Sequence, residues 1–135
     1  MVDLVVDASV LSSFFLAEEY GAEVQKLIKS DARFYAPLFW KYEAANAVWK
    51  NKDIPEFVAQ ELIGQMWLFS IYGEESAQWI KEALSVGRKH NITFYDSSYI
   101  AMAKWYNIPL WTLDKLQGKI ASQVGVVLWE EKEVQ

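Results

Sequence analysis

Four acidic residues of this 135-residue chain stand out because each lies among apolar or small residues. Asp7 and Asp114 each follow a short apolar run, and Glu43 is surrounded by alanines. Asp96 opens a run of small and apolar residues. Carboxylates in such surroundings are unusual unless they have a partner, so we treat the four as candidates for one shared site.

A shared site for these acids would require a cation. Two like charges about 4 Å apart repel by roughly 4 kcal/mol at the effective dielectric of a protein surface, so four carboxylates together need protons or a cation. Hard divalent ions such as Mg²⁺ prefer carboxylate and water oxygens. An ion held in this way can bind phosphate oxygens, activate a water and stabilise the leaving oxygen. The four acids therefore suit metal-assisted hydrolysis of a phosphodiester.

Each acid taken alone has a simpler structural explanation. Asp7 and Asp96 could each cap the helix that follows, and Asp114 could be an ordinary turn residue. Glu43 is harder to explain in this way, because it lies on a largely apolar helix. The hypothesis of a common site rests on the four residues together.

The elements that would position these acids alternate between strands and helices. The segment from Asn91 to Tyr95 is expected to be a short strand or an extended entry to the helix that Asp96 or Ser97 caps. Strands are predicted at residues 4–6, 34–36, 110–113 and 126–128. Helices are predicted at residues 8–16, 22–30, 38–50, 55–69, 74–89, from about 97 to 106, and 115–122.

This alternation predicts an α/β fold with a mostly parallel central sheet flanked by helices. The length fits a single domain spanning residues 1–135. Ligands of such folds bind beyond the carboxyl ends of the strands. Asp7 and Asp114 are both expected at that edge of the sheet.

Composition excludes several other kinds of site. The chain has no cysteine, so disulfides, zinc–thiolate sites and cysteine nucleophiles are ruled out. His90 is the only histidine and is expected at the surface, so a Ser–His–Asp triad has no support. The net charge of −5 argues against a broad basic face. It does not argue against a local basic rim, because bound divalent ions would offset the charge of the acids.

The chain also shows no sign of a membrane or secretory destination. No apolar run approaches the roughly 20 residues of a membrane span, and the N-terminus lacks the basic and apolar regions of a signal peptide. We therefore expect a cytoplasmic protein with no membrane partner. Glu130, Glu131 and Glu133 predict a solvated acidic tail.

Four short segments together resemble a known family, the PIN domain, of the kind found in VapC-type toxins of prokaryotic toxin–antitoxin pairs. Their order and separation are more specific than any one of them, and they are spread over nearly the whole chain. The segments are Val5-Val6-Asp7-Ala8-Ser9, Pro37 to Glu43 with Asn46, Tyr95-Asp96 to Ala103, and Thr112-Leu113-Asp114.

The resemblance implies a role for each acid. Asp7 and Asp96 correspond to direct ligands of Mg²⁺, with Mn²⁺ as an alternative ion. Asp114 corresponds to a further ligand, bound directly or through water. Glu43 would complete the acidic pocket and orient the attacking water.

The resemblance also covers the residues around the acids. Ser9 and Thr112 correspond to hydroxyl residues beside the acids, and Asn46 would share a helical face with Glu43. Family members often carry one more acid a few residues after Asp114, where this chain has Lys115-Leu116-Gln117-Gly118. We therefore expect one tightly held ion rather than two.

The activity implied is a metal-dependent endoribonuclease acting on RNA as the toxin of a toxin–antitoxin pair. The apolar content is high and the aromatic residues, 16% of the chain, exceed what we can place inside. We therefore expect a homodimer whose exposed groove takes an antitoxin segment, as the resemblance implies. Two alternatives stay open: an RNA-processing nuclease of the same fold, and a non-catalytic PIN-like binding module. An aspartyl-phosphate phosphatase is disfavoured, because that mechanism needs an acid where this chain has Ser9.

Overall fold

The fold is built on a small parallel sheet with helices around it. The computed structural model describes residues 2–16 and 21–130. Its three strands are all parallel and are arranged in the order β2-β1-β3. The predicted α/β fold is therefore confirmed. The strands are β1 (Asp3–Val6), β2 (Arg33–Tyr35) and β3 (Leu110–Trp111).

The central strand β1 determines where the acids lie. Its residues Leu4, Val5 and Val6 are completely buried, as expected for an apolar strand covered on both faces. Val6 pairs with Trp111 of β3. One residue further on, the backbone N–H of Asp7 donates to the carbonyl of Trp111 over 3.2 Å. The carboxyl ends of β1 and β3 thus meet at one edge, with Asp7 directly beyond it.

Seven helices of the described residues surround this sheet. The most buried is α6, in which every residue from 97 to 103 is buried and which packs against α5, β1 and β3. On another side, α1 packs against α2 and α3. The helices are α1 (Ala8–Phe15), α2 (Gly21–Lys29), α3 (Trp40–Lys50), α4 (Glu56–Leu68), α5 (Ala77–His90), α6 (Phe94–Tyr106) and α7 (Lys115–Gln123).

Of the two alternatives predicted before α6, the structure has the extended entry, at Thr93, and no strand, and the predicted helix cap is wrong. The segment from Asn91 to Tyr95 is not a strand: Asn91 has a left-handed backbone (φ 55°) that ends α5, and Phe94 is already helical. The cap of α6 is Thr93, whose hydroxyl oxygen accepts from the N–H of Asp96 over 3.1 Å, and not Asp96 or Ser97. The spacing from Thr93 to Asp96 is that of a capping box, which starts the helix earlier.

The strands predicted near the C-terminus are also too long. Strand β3 covers two residues instead of four. It ends because the Thr112 hydroxyl accepts from the N–H of Asp114 over 3.0 Å, a local turn that competes with strand pairing. The segment predicted as a strand at 126–128 forms only an isolated bridge, between Leu128 and Leu110.

The remaining expectations concern the surface and the tail. His90 is half-buried instead of exposed. Glu130 is exposed, whereas Glu131 and Glu133 lie outside the described residues. No helix in the described part of the chain is long and apolar enough to cross a membrane.

Candidate active site

Asp7 is a buried carboxylate that is also the N-cap of α1. Its side chain is only 4% exposed. Oδ1 accepts from the N–H of Val10 over 3.1 Å and from the hydroxyl of Ser9 over 2.5 Å. Oδ2 accepts a short hydrogen bond from the hydroxyl of Thr112. The helix cap that the sequence allowed as an alternative is therefore present. Oδ1 accepts two of these hydrogen bonds and Oδ2 accepts one, so one lone pair of Oδ2 is not used by them.

Opposing effects act on the charge of Asp7. Burial raises its pKa most strongly, and the nearby charge of Asp96 raises it further. The hydrogen bonds from Ser9, Thr112 and Val10 lower the pKa. These donors partly offset the cost of burying the carboxylate, so they favour its charged form.

The two hydroxyl residues that hydrogen-bond to Asp7 also contact the chain that follows β3. The Ser9 hydroxyl oxygen accepts from the N–H of Leu113 over 3.2 Å. The Thr112 hydroxyl oxygen accepts from the N–H of Asp114. Ser9 and Thr112 therefore lie where the sequence predicted, beside the acids, and they connect Asp7 to the segment that carries Asp114.

Glu43 approaches the same region from α3. It is half-buried, and its Oε1 accepts from the hydroxyl of Tyr99 over 2.7 Å. Burial is the main cause of its raised pKa, the Tyr99 hydrogen bond lowers the pKa, and the charges of Asp96 and Asp7 raise it. Asn46 lies one turn later on the same helix and is exposed.

Asp96 is the third residue of α6 and is half-buried. Burial is the main cause of its raised pKa, and the charge of Asp114 raises the pKa further. The Thr93 hydroxyl lowers the pKa through a hydrogen bond. Asp96 is the acid that links the other three electrostatically, because its charge also acts on Asp7 and Glu43.

Asp114 is exposed and caps α7, accepting from the N–H of Gln117 over 3.0 Å. The Gln117 side chain is buried at 2% exposure. Its Nε2 donates to the carbonyl of Asp96 over 3.0 Å, and its Oε1 lies 3.1 Å from the hydroxyl oxygen of Thr112. Gln117 thus joins α7 to the first turn of α6, and so fixes Asp114 relative to Asp96.

The structure brings all four predicted acids into one electrostatically coupled region. Within residues 2–16 and 21–130, no three or more acidic or histidine side chains form a group that could hold a metal ion. Mg²⁺ does not require such a group, since it usually keeps several waters and uses one or two carboxylates. The all-oxygen donor set and the spare lone pair on Asp7 Oδ2 fit such an ion, and Asp7 and Asp96 are the residues that would hold it.

A cavity of about 380 Å³ opens beside the Asp114 corner. Thr112, Asp114, Lys115 and Lys119 are among the residues that line it. The two lysines share this cavity with Asp114 and with a further acid, Glu130. The local basic rim that the net charge left open stays a prediction.

Three residues of the site were missed by sequence reasoning. Thr93 and Gln117 each had a signal, because Thr93 with Asp96, and Asp114 with Gln117, have the spacing of capping boxes. Tyr99 had no comparable signal: its position one turn after Asp96 gave no indication of a bond to α3.

Comparison with known proteins agrees with this fold. A model of the PIN domain family matches residues 4–122. Ribonuclease VapC3 of Pyrobaculum aerophilum is 28% identical over 117 residues, which cover 83% of this chain and 89% of that protein. These matches confirm the resemblance to VapC-type PIN domains that the sequence predicted.

Two solved structures are also similar. PAE2754 from Pyrobaculum aerophilum has a TM-score of 0.65 at 25% identity, covering 88% of this chain and 84% of that one. FitAcB from Neisseria gonorrhoeae has a TM-score of 0.60 at 18% identity, covering 96% and 98%, and shows the shared fold alone.

The raised pKa values predict how stability depends on pH without metal. A group whose pKa is raised on folding stabilises the fold most below its unfolded pKa, and this contribution is lost as pH rises through the folded value. The pKa values of Asp7, Glu43 and Asp96 are all raised. In excess chelator, the free energy of unfolding should therefore contain a term that falls as pH rises from about 4 toward 7.

Substitution of Asp7 isolates this term. Asparagine keeps the helix cap but has no charge, so Asp7→Asn should be more stable than the parent at pH 7. The gain should shrink toward pH 4. Urea denaturation at both pH values measures it, with the exposed Asp53→Asn as a matched control. An Asp7→Asn protein that is less stable than the parent at pH 7 would mean that the carboxylate is needed for folding.

Proposed function

Because this chain belongs to the PIN domain family, we propose that it is a metal-dependent endoribonuclease and the toxin of a toxin–antitoxin pair, acting in the cytoplasm. The observation that carries the proposal is the mutual charge coupling of Asp7, Glu43, Asp96 and Asp114 at the carboxyl edge of the sheet. The similarity to a protein named as a ribonuclease supports RNA as the substrate.

The proposed chemistry assigns one task to each acid. Asp7 and Asp96 hold Mg²⁺, or Mn²⁺, and Asp114 contributes from the exposed side, directly or through water. When bound, the ion neutralises charge on the phosphate oxygens and lowers the pKa of water. Glu43 orients the attacking water and accepts its proton, a role that its raised pKa suits.

The residues around the acids keep them in place. Ser9 and Thr112 donate to Asp7 and hold its carboxylate in one orientation. Gln117 occupies the stretch where family members often carry a further acid, and its amide joins Asp96 to Thr112. A neutral side chain here leaves less negative charge for a second ion, so we propose a site for one ion.

Cleavage of RNA by the purified protein tests the activity. A pool of structured RNAs should be cut with Mg²⁺ or Mn²⁺ and left intact in excess EDTA. Asp96→Asn should slow cleavage at least about 100-fold, which corresponds to about 2.7 kcal/mol in the barrier. The exposed Asp53→Asn should cut at the parent rate. Undiminished cleavage in EDTA would contradict the metal mechanism.

Two alternatives keep the fold and change the role. A non-catalytic binding module is disfavoured, because all four acids are present and coupled. An RNA-processing nuclease would use the same site, so the gene's surroundings decide between the two nucleases. A short adjacent reading frame encoding a DNA-binding protein would favour the toxin.

The proposed partners would bind an apolar surface on α3 and α4. Tyr42 and Trp67 contact each other at 5.7 Å between ring centroids, and both are exposed. Leu38 and Leu68 are 64% and 86% exposed. Leu38, Trp67 and Leu68 are among the residues that line a cavity of about 450 Å³. Exposed apolar patches of this kind mark interaction surfaces, and we propose that an antitoxin segment binds there.

We also expect the chain to form a homodimer. Light scattering at tens of micromolar should give twice the chain mass of 15.6 kDa.

Leu68→Glu should weaken binding of the adjacent gene's product by about 10-fold or more, because it buries a charge in an apolar contact. Leu84→Glu, at an exposed position on α5, is the control. A monomer would contradict the dimer, and unchanged binding by Leu68→Glu would contradict the docking surface.

A further inference from the structure

Helices α3 and α6 meet along two successive side-chain pairs that lead to the acids. The outer pair is Phe39 and Tyr95, with ring centroids 4.9 Å apart in an edge-to-face contact. The inner pair is Glu43 and Tyr99, joined by the 2.7 Å hydrogen bond. Phe39, the N-cap of α3, lies four residues before Glu43, and Tyr95 lies four residues before Tyr99. Both pairs therefore lie on the facing sides of the two helices.

The hydroxyl of Tyr99 is the one polar group of this ring, and its environment fixes how it bonds. The side chain is 1% exposed. Burial is the main cause of its strongly raised pKa, so the hydroxyl remains protonated and donates its single proton to Glu43.

The Tyr99 hydroxyl therefore ties α6 to the Glu43 carboxylate on α3. A free glutamate side chain has several rotamers, and ordering one costs up to about 2 kcal/mol. Glu43 is also repelled by the charges of Asp7 and Asp96. Without a donor on the opposite side, the carboxylate would turn away from the other acids.

We propose that Tyr99 is a positioning residue, which holds the Glu43 carboxylate toward Asp7 and Asp96 in the orientation that the reaction needs. The proposal rests on the proposed function insofar as Glu43 acts on the attacking water. A role in packing alone would need only the ring, which contacts Phe39 at 5.4 Å. Tyr99→Phe keeps that ring and removes the donor, so it separates the two roles.

The first arm of the test is kinetic. Tyr99→Phe should lower kcat about 10- to 100-fold, the effect of losing one hydrogen bond to a charged group, and should leave KM within about twofold of the parent. Tyr106→Phe is the matched control: it lies on the same helix, and its hydroxyl accepts from the N–H of Glu74 over 2.7 Å, so it also loses one hydrogen bond. Its kcat should equal that of the parent.

A double variant distinguishes an effect of Tyr99→Phe that acts through Glu43 from one caused only by lower stability of the protein. Glu43→Asp has a shorter side chain that draws the carboxylate away from Tyr99. If Tyr99 acts through Glu43, adding Tyr99→Phe to Glu43→Asp should change kcat less than twofold. A further loss as large as that seen in the parent background would overturn the proposal.

The second arm needs no activity. Three-bond NMR couplings of the Glu43 side chain, measured without metal, should report one rotamer in the parent and in Tyr106→Phe, and averaged rotamers in Tyr99→Phe. A single Glu43 rotamer in Tyr99→Phe, or a kcat within twofold of the parent, would overturn the proposal. If the parent cleaves no RNA, the proposed function fails, while the rotamer measurement still decides whether Tyr99 positions Glu43.

Discussion

The burial of one carboxylate, that of Asp7, is the constraint on which the site depends. A buried charge is costly unless it is hydrogen-bonded. Three donors from Ser9, Val10 and Thr112 meet that requirement. Ser9 and Val10 lie in α1, and Thr112 follows β3. The need for these hydrogen bonds therefore holds the start of α1 against the chain that follows β3.

The other acids are positioned by the same connections. Thr112, which donates to Asp7, also ends β3 and lies beside Gln117, whose amide reaches the first turn of α6. The hydroxyl of Tyr99 connects α6 to Glu43 on α3. Four acids from four separated segments thus share one region, and the pKa values of three of them are raised, mainly by burial and further by mutual repulsion. Binding a cation would relieve this repulsion.

Local patterns in the sequence predicted the elements well, and the misses have two causes: local hydrogen bonds at element ends and one tertiary contact. The apolar run at Leu4–Val6 predicted β1, and the alternation of elements predicted the parallel sheet. The helix α6 was predicted to begin too late, at about residue 97 instead of Phe94, because the cap at Thr93 was overlooked. Strand β3 was predicted too long because the turn at Thr112 is a local hydrogen bond that competes with pairing. The bond between Tyr99 and Glu43 spans 56 residues, and helical periodicity carries no information about such a contact.

Diffraction from crystals soaked in Mn²⁺ would test most directly whether the acids form one metal site. The anomalous difference map should show a single strong peak bound to Asp7 Oδ2 and to the Asp96 carboxylate, at roughly the 2.0–2.2 Å typical of such small divalent ions. Asp114 and Glu43 should lie around it, within reach of its waters. No peak at this edge of the sheet, or a peak that contacts neither Asp7 nor Asp96, would contradict the site.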